Sequence, residues 1–145
     1  MMARAKVLMT AALLIGGATA CSDLTGNTSR ADGVYYLQTY NNTPLPYTYR
    51  DANNNTITIQ SDTYSLNSDG SYTEFATYLI NNATQSQTES GTWSQSGSVV
   101  TFYPSQSTFG GTLTPYTGNL GNSSSFSGAR TLSFNISGTT AIYSQ

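Results

Sequence analysis

The chain has 145 residues, only 8% of them charged, and a formal net charge of −2. It contains no histidine, which excludes Ser-His-Asp and Cys-His catalytic arrangements. Aromatic residues are plentiful, with 11 Tyr, 5 Phe and 1 Trp, as in a folded chain and unlike a disordered one.

Residues 1–20 read as an export signal. Arg4 and Lys6 supply a positive start, Val7 to Ile15 a short apolar run, and Gly16 to Ala20 a small-residue cleavage region. The apolar run is too short for a permanent span, which takes roughly 20 residues. In the precursor, residues 5–16 are expected to form a helix apart from the folded domain.

The only cysteine, Cys21, follows directly. Small residues ending in Cys resemble the lipoprotein box of bacterial lipoproteins, with Ala18 standing where Leu is commonest. The resemblance implies cleavage before Cys21, a diacylglycerol on its sulfur and an acylated new amino terminus. Several acyl chains on one residue meet the need for more than one membrane signal. Ser22, where Asp would suggest inner-membrane retention, implies the outer membrane of the cell envelope. With Cys21 acylated, metal sites built on His or Cys are excluded.

Loss of the leader removes Arg4 and Lys6. Three basic residues, Arg30, Arg50 and Arg130, then face seven acidic ones, a formal −4. That excludes a basic nucleic-acid surface. Residues 21–32 read as a tether, and 33–145 as one domain.

The domain opens with a strand, because Tyr35, Leu37 and Thr39 alternate with Tyr36, Gln38 and Tyr40. Asn41-Asn42 closes it, and Pro44 and Pro46 keep the next stretch extended and irregular. Ile57 and Ile59 share one face, while Tyr64 and Leu66 have the opposite parity. A bulge is therefore expected near Ser61-Asp62. Asn67 to Gly70 carries a hairpin signal before a long strand, Tyr72 to Ile80. The polar run from Asn81 to Glu89 reads as a loop, and a second hairpin turns at Gln95-Ser96-Gly97 and ends at Pro104. A short strand at Thr112 to Tyr116, one through Leu132, Phe134 and Ile136, and a last at Ala141 to Tyr143 follow. About eight short strands separated by turns define an all-β sandwich or barrel.

The segments "GVYYLQTYNNTPLP", "SDTYSLNSDGSYTEF" and "SGTWSQSGSVVTF" are similar, in order and spacing, to the lipocalin-like domain of small bacterial lipoproteins. The similarity runs from about Gly33 to Phe102, with Asn42 in place of a turn glycine and Thr63 in place of a serine. It implies an antiparallel up-and-down barrel of about eight strands. Gly-x-aromatic recurs at Gly33/Tyr35, Gly70/Tyr72 and Gly91/Trp93. These rings either plug one barrel end, as in lipocalins, or are ordinary core aromatics at strand starts. Both readings put them inside, with Leu66 and Phe134.

Few residues suggest chemistry. Glu74 and Glu89 can lie opposite each other across a hairpin, as paired carboxylates do in glycoside hydrolysis, but read as solvated strand residues. Asp62, Asp69 and Asn67 offer oxygen ligands of the kind calcium takes, yet "NSDG" lacks a downstream acidic ligand and reads as a turn. Outward tyrosines, Tyr36, Tyr40, Tyr47 and Tyr49, suit a sugar or protein contact; inward ones suit a cavity. The expectation is a monomeric, lipid-anchored binding module with no catalytic residue, metal or cofactor. Its partners would be the membrane, through Cys21, and a small apolar ligand in an uncharged, aromatic-lined interior. The alternative is a structural lipoprotein with a filled barrel that contacts envelope protein or glycan through its outer face.

Overall fold

The computed structural model describes residues 30–122 and 128–145. The leader, Cys21 and the expected helix at 5–16 lie outside them. The described residues form ten strands: β1 (Gly33–Tyr40), β2 (Thr43–Pro44), β3 (Tyr47–Arg50), β4 (Thr56–Leu66), β5 (Ser71–Ile80), β6 (Ala83–Ser96), β7 (Val99–Ser107), β8 (Tyr116–Asn122), β9 (Arg130–Ile136) and β10 (Thr139–Ser144). Strands β4 to β10 follow one another as antiparallel neighbours, and β1 pairs with both β10 and β4. Eight strands thus close an up-and-down barrel, which leaves no edge among them. It is the fold that the likeness to lipocalin-like domains implies. β2 and β3 are short additions, β2 along the end of β1 and β3 along the first residues of β4.

Turn chemistry sets the registers. Asn41 and Asn42, and again Asn81 and Asn82, adopt positive φ, which Asn tolerates better than most residues. Gly70, at φ 86°, closes the Asn67–Gly70 turn. The register of β4 against β5 shifts between Ile59 and Ser61, so the expected bulge exists, one residue earlier. It returns Asp62, Tyr64 and Leu66 to the inner face that Ile57 and Ile59 begin.

One end of the barrel is solid. Tyr35, Tyr72, Trp93, Leu66, Val100, Phe102 and Leu132 are buried there, each 8% exposed or less. All three aromatics of the Gly-x-aromatic pairs are inside. Arg30 to Asp32 complete the plug: Ala31 N donates to Gln95 Oε1 at 2.8 Å, and Tyr35 Oη donates to the Ala31 carbonyl at 2.9 Å. The Arg30 guanidinium lies 5.8 Å from the Trp93 ring centre, a cation–π contact. Trp93 Nε1 donates to the Asn67 carbonyl at 3.1 Å. Deeper in, Phe134 stacks on Tyr64 at 5.1 Å, and Phe102 on Tyr116 at 5.1 Å.

Four local expectations are corrected. The run from Asn81 to Glu89 is not a loop: only Asn81-Asn82 turn, and β6 begins at Ala83. Its side chains near the turn are exposed on both faces, so polarity there marks a solvated strand. β7 continues past Pro104 to Ser107, through a register shift opposite Ser90 and Gly91. The strand expected at Thr112 to Tyr116 starts only at Tyr116. Finally, Tyr40 is not outward, because the register slips between Leu37 and Thr39 and turns its side chain to the barrel mouth.

Candidate functional site

The end opposite the plug is open. A cavity of about 430 Å³ enters there, lined on its apolar side by Leu37, Ile59, Phe134 and Ala141 and at the rim by Tyr40 and Phe109. A second lobe of about 310 Å³ lies beside it against Tyr49, Ile57 and Tyr78, and shares Ile59, Asp62 and Phe109 with the first. Small-molecule sites typically occupy roughly 300–1,000 Å³. Phe109 reaches both lobes from the loop between β7 and β8. Gly118 on β8 keeps the neighbouring wall thin, since a Cβ there would come within 2.9 Å of Leu132 and Phe134.

The depth of the cavity is not uncharged, and here the expectation from sequence fails. Asp62 on β4, Glu74 on β5 and Glu89 on β6 all line it. Glu74 and Glu89 are directly opposed across β5 and β6, and Tyr64 is directly opposed to Glu74 across β4 and β5. The cross-strand relation between the two glutamates is therefore as expected, but Glu74 is not solvated: it is 8% exposed.

Four phenols surround the carboxyl groups. Tyr72 and Tyr116 both donate to Glu89 Oε1 at 2.7 Å. Tyr143 donates to Asp62 Oδ2 at 2.8 Å. The Tyr64 and Tyr116 hydroxyls lie 3.1 Å apart; because Tyr116 gives its proton to Glu89, Tyr64 is the donor of that pair. Asp62 Oδ1 is buried and has no hydrogen-bond partner.

Burial dominates the electrostatics. It pushes the Asp62 carboxyl up to about 6, against the opposing hydrogen bonds from Tyr143 and the Thr63 backbone. Burial, then the Asp62 charge, pushes Glu74 up to about 9. Desolvation disfavours the charged form of each, and the neighbouring Asp62 charge disfavours that of Glu74 further. The same burial raises Tyr64, Tyr72, Tyr116 and Tyr143 above the ordinary phenol range. Glu74 therefore holds a proton at neutral pH.

The other candidates separate. Asp69 accepts from Ser71 N at 2.8 Å and Ser71 Oγ at 2.7 Å within the hairpin turn. It is remote from Asp62, so these residues form no joint calcium site. Among the described residues no group of three or more acidic, His or Cys side chains is arranged to hold a metal ion. Tyr36 is outward, at 54% exposed; Tyr47 packs 5.1 Å from Tyr40 at the mouth. Cys21 lies outside the described residues.

The four phenols around the carboxyls leave a signal in the sequence that alternation carries. Once Tyr64 and Leu66 share an inner face, Asp62 falls on it, and Tyr72 carries Glu74 with it by the same alternation. Comparison with family models, curated proteins and solved structures finds no significant match to this chain.

Proposed function

We propose that the protein is a lipid-anchored, lipocalin-like binding module of the bacterial cell envelope, monomeric, holding one small and largely apolar molecule in its barrel. The observation that carries this reading is the cavity of about 430 Å³, closed at one end and open at the other. Burying apolar ligand surface against Leu37, Ile59, Phe134 and Ala141 supplies the affinity, at ~25 cal/mol per Å². The leader and Cys21 support acylation at that residue and an outer-membrane address. Arg30 packs on Trp93 at the closed end, which supports an anchor that holds this end and leaves the mouth facing away from it.

The test is titration of the domain from Arg30 onward with diphenylhexatriene, a neutral hydrocarbon that fluoresces only out of water. Saturable emission at one dye per chain is expected, and Ile59→Trp, which fills the space shared by both lobes, should abolish it. Unsaturable emission, or saturation unaffected by Ile59→Trp in a folded variant, would overturn the reading.

A second reading draws on the outer face. Tyr36 and Phe75 are 54% and 47% exposed, and Thr63 is paired with both across adjacent strands. Such a row suits contact with envelope protein or glycan. Loss of envelope cross-linking in a Tyr36→Ser, Phe75→Ser double variant, with no dye binding by wild type, would favour it.

A further inference from the structure

The hydrogen-bond inventory of the cavity is unbalanced. Each phenol at its depth has one proton to give, and each is spent within the wall: Tyr72 and Tyr116 on Glu89, Tyr143 on Asp62, Tyr64 on Tyr116. On the acceptor side, three carboxyl groups from three adjacent strands share a single carboxyl proton, the one on Glu74 beside Asp62, and Asp62 Oδ1 is buried with no hydrogen-bond partner. None of the lining residues of either lobe is basic. Buried acceptors are nearly always satisfied, and an unsatisfied one costs about 1–3 kcal/mol. A ligand that completes this wall has to bring donors, and preferably positive charge.

We propose that the depth of the cavity receives a protonated amine carried on an apolar body. The ammonium would sit against Asp62, giving a hydrogen bond to its Oδ1, with Glu74 beside it, while its apolar part lies against Leu37, Ile59 and Ala141. This rests on the cavity being a ligand site, and names the chemistry that it selects.

The inference has a thermodynamic signature. In the empty cavity a proton on Glu74 partly takes the place of a cation. An ammonium beside Glu74 favours its charged form, so binding at neutral pH drives that proton out. The titratable groups facing Glu74 are Asp62 and Tyr64 on β4, Tyr72 on β5, Glu89 on β6, Tyr116 on β8 and Tyr143 on β10. The phenols remain protonated throughout, and Asp62 is largely ionised above its value of about 6, so Glu74 is the source.

The experiment compares octylamine, octanol and octanoate, which share a chain and differ in head charge, by calorimetry at neutral pH. Octylamine should bind at least about tenfold more tightly than octanol, and octanoate more weakly than either. Repeating the octylamine titration in buffers of different ionisation enthalpy should reveal proton release. Glu74→Gln should remove that release, and Asp62→Asn should narrow the amine-to-alcohol ratio. If Asp62→Asn fails to fold, the wild-type ratio and its proton release still decide. A smaller ratio, or proton uptake, overturns the amine while saturable octanol or dye binding keeps the cavity reading. Failure of all three chains and of the dye removes both.

Discussion

Glu74 and Glu89 face each other as a directly opposed pair on β5 and β6, both turned into the barrel cavity. Like charges in that relation are destabilising on a sheet. The two residues meet the problem differently: Glu89 takes two phenolic hydrogen bonds, and burial leaves Glu74 holding a proton.

A pH dependence of stability follows. Glu74 rises from an ordinary 4.5 to about 9 on folding, and Asp62 from 3.8 to about 6. The folded state therefore binds more protons than the unfolded one between those limits. This stabilisation is complete below the unfolded values and is lost as pH rises through the folded ones, by up to about 1.4 kcal/mol per pH unit for each proton. Glu74→Gln should flatten the profile and stabilise the domain at about pH 8 by about 1–3 kcal/mol. Urea unfolding followed by circular dichroism across the pH range measures it; a variant profile parallel to wild type contradicts it.

Trp93 joins the plug to the Asn67–Gly70 hairpin through its indole N–H and its backbone. Trp93→Ala should cost about 3–5 kcal/mol, read by the same far-ultraviolet signal since the only tryptophan is lost. A cost under about 1 kcal/mol would show that the plug does not hold this end together.

Gly91 sits where β6 and β7 change register. A Cβ there would meet the Tyr103 carbonyl oxygen, and would lie 2.9 Å from Pro104 Cα. Both are backbone, so neither can swing aside. Gly91→Ala should destabilise by about 2–3 kcal/mol, while Gly97→Ala, with nothing within 4 Å, bears only the cost of its positive φ. Equal effects would remove steric approach as the reason for glycine at 91.

Cys21→Ala should abolish acyl labelling in the host and release the protein from the membrane fraction. A mature wild-type protein that begins elsewhere by mass, or carries no lipid, would contradict the proposed anchor.

How far the sequence reveals this molecule depends on where apolar side chains report parity. β1, β4 and β9 carry Tyr35/Leu37, Tyr64/Leu66 and Leu132/Phe134 on their inner faces, so these strands and even the bulge in β4 are legible. The mouth is different. The start of β6 is polar on both faces, and the slip in β1 falls between Leu37 and Thr39 with only Tyr40 beyond it to report parity. Both therefore escape a reading by alternation. The site is half visible: the opposition of Glu74 and Glu89 follows from one hairpin, but the burial of Glu74 and the phenols on Glu89 and Asp62 depend on β8 and β10 bringing Tyr116 and Tyr143 across the barrel. That is closure, which no local pattern encodes.

The proposed ligand occupies the open half of the barrel. Methyl-resolved nuclear magnetic resonance during titration with octanol tests it directly. Shifts should concentrate on Leu37, Ile59 and Ala141, which line the cavity, and leave Leu66 and Val100 in the plug almost unmoved. Saturable shifts confined to the outer face, or no saturable shift anywhere, would contradict it.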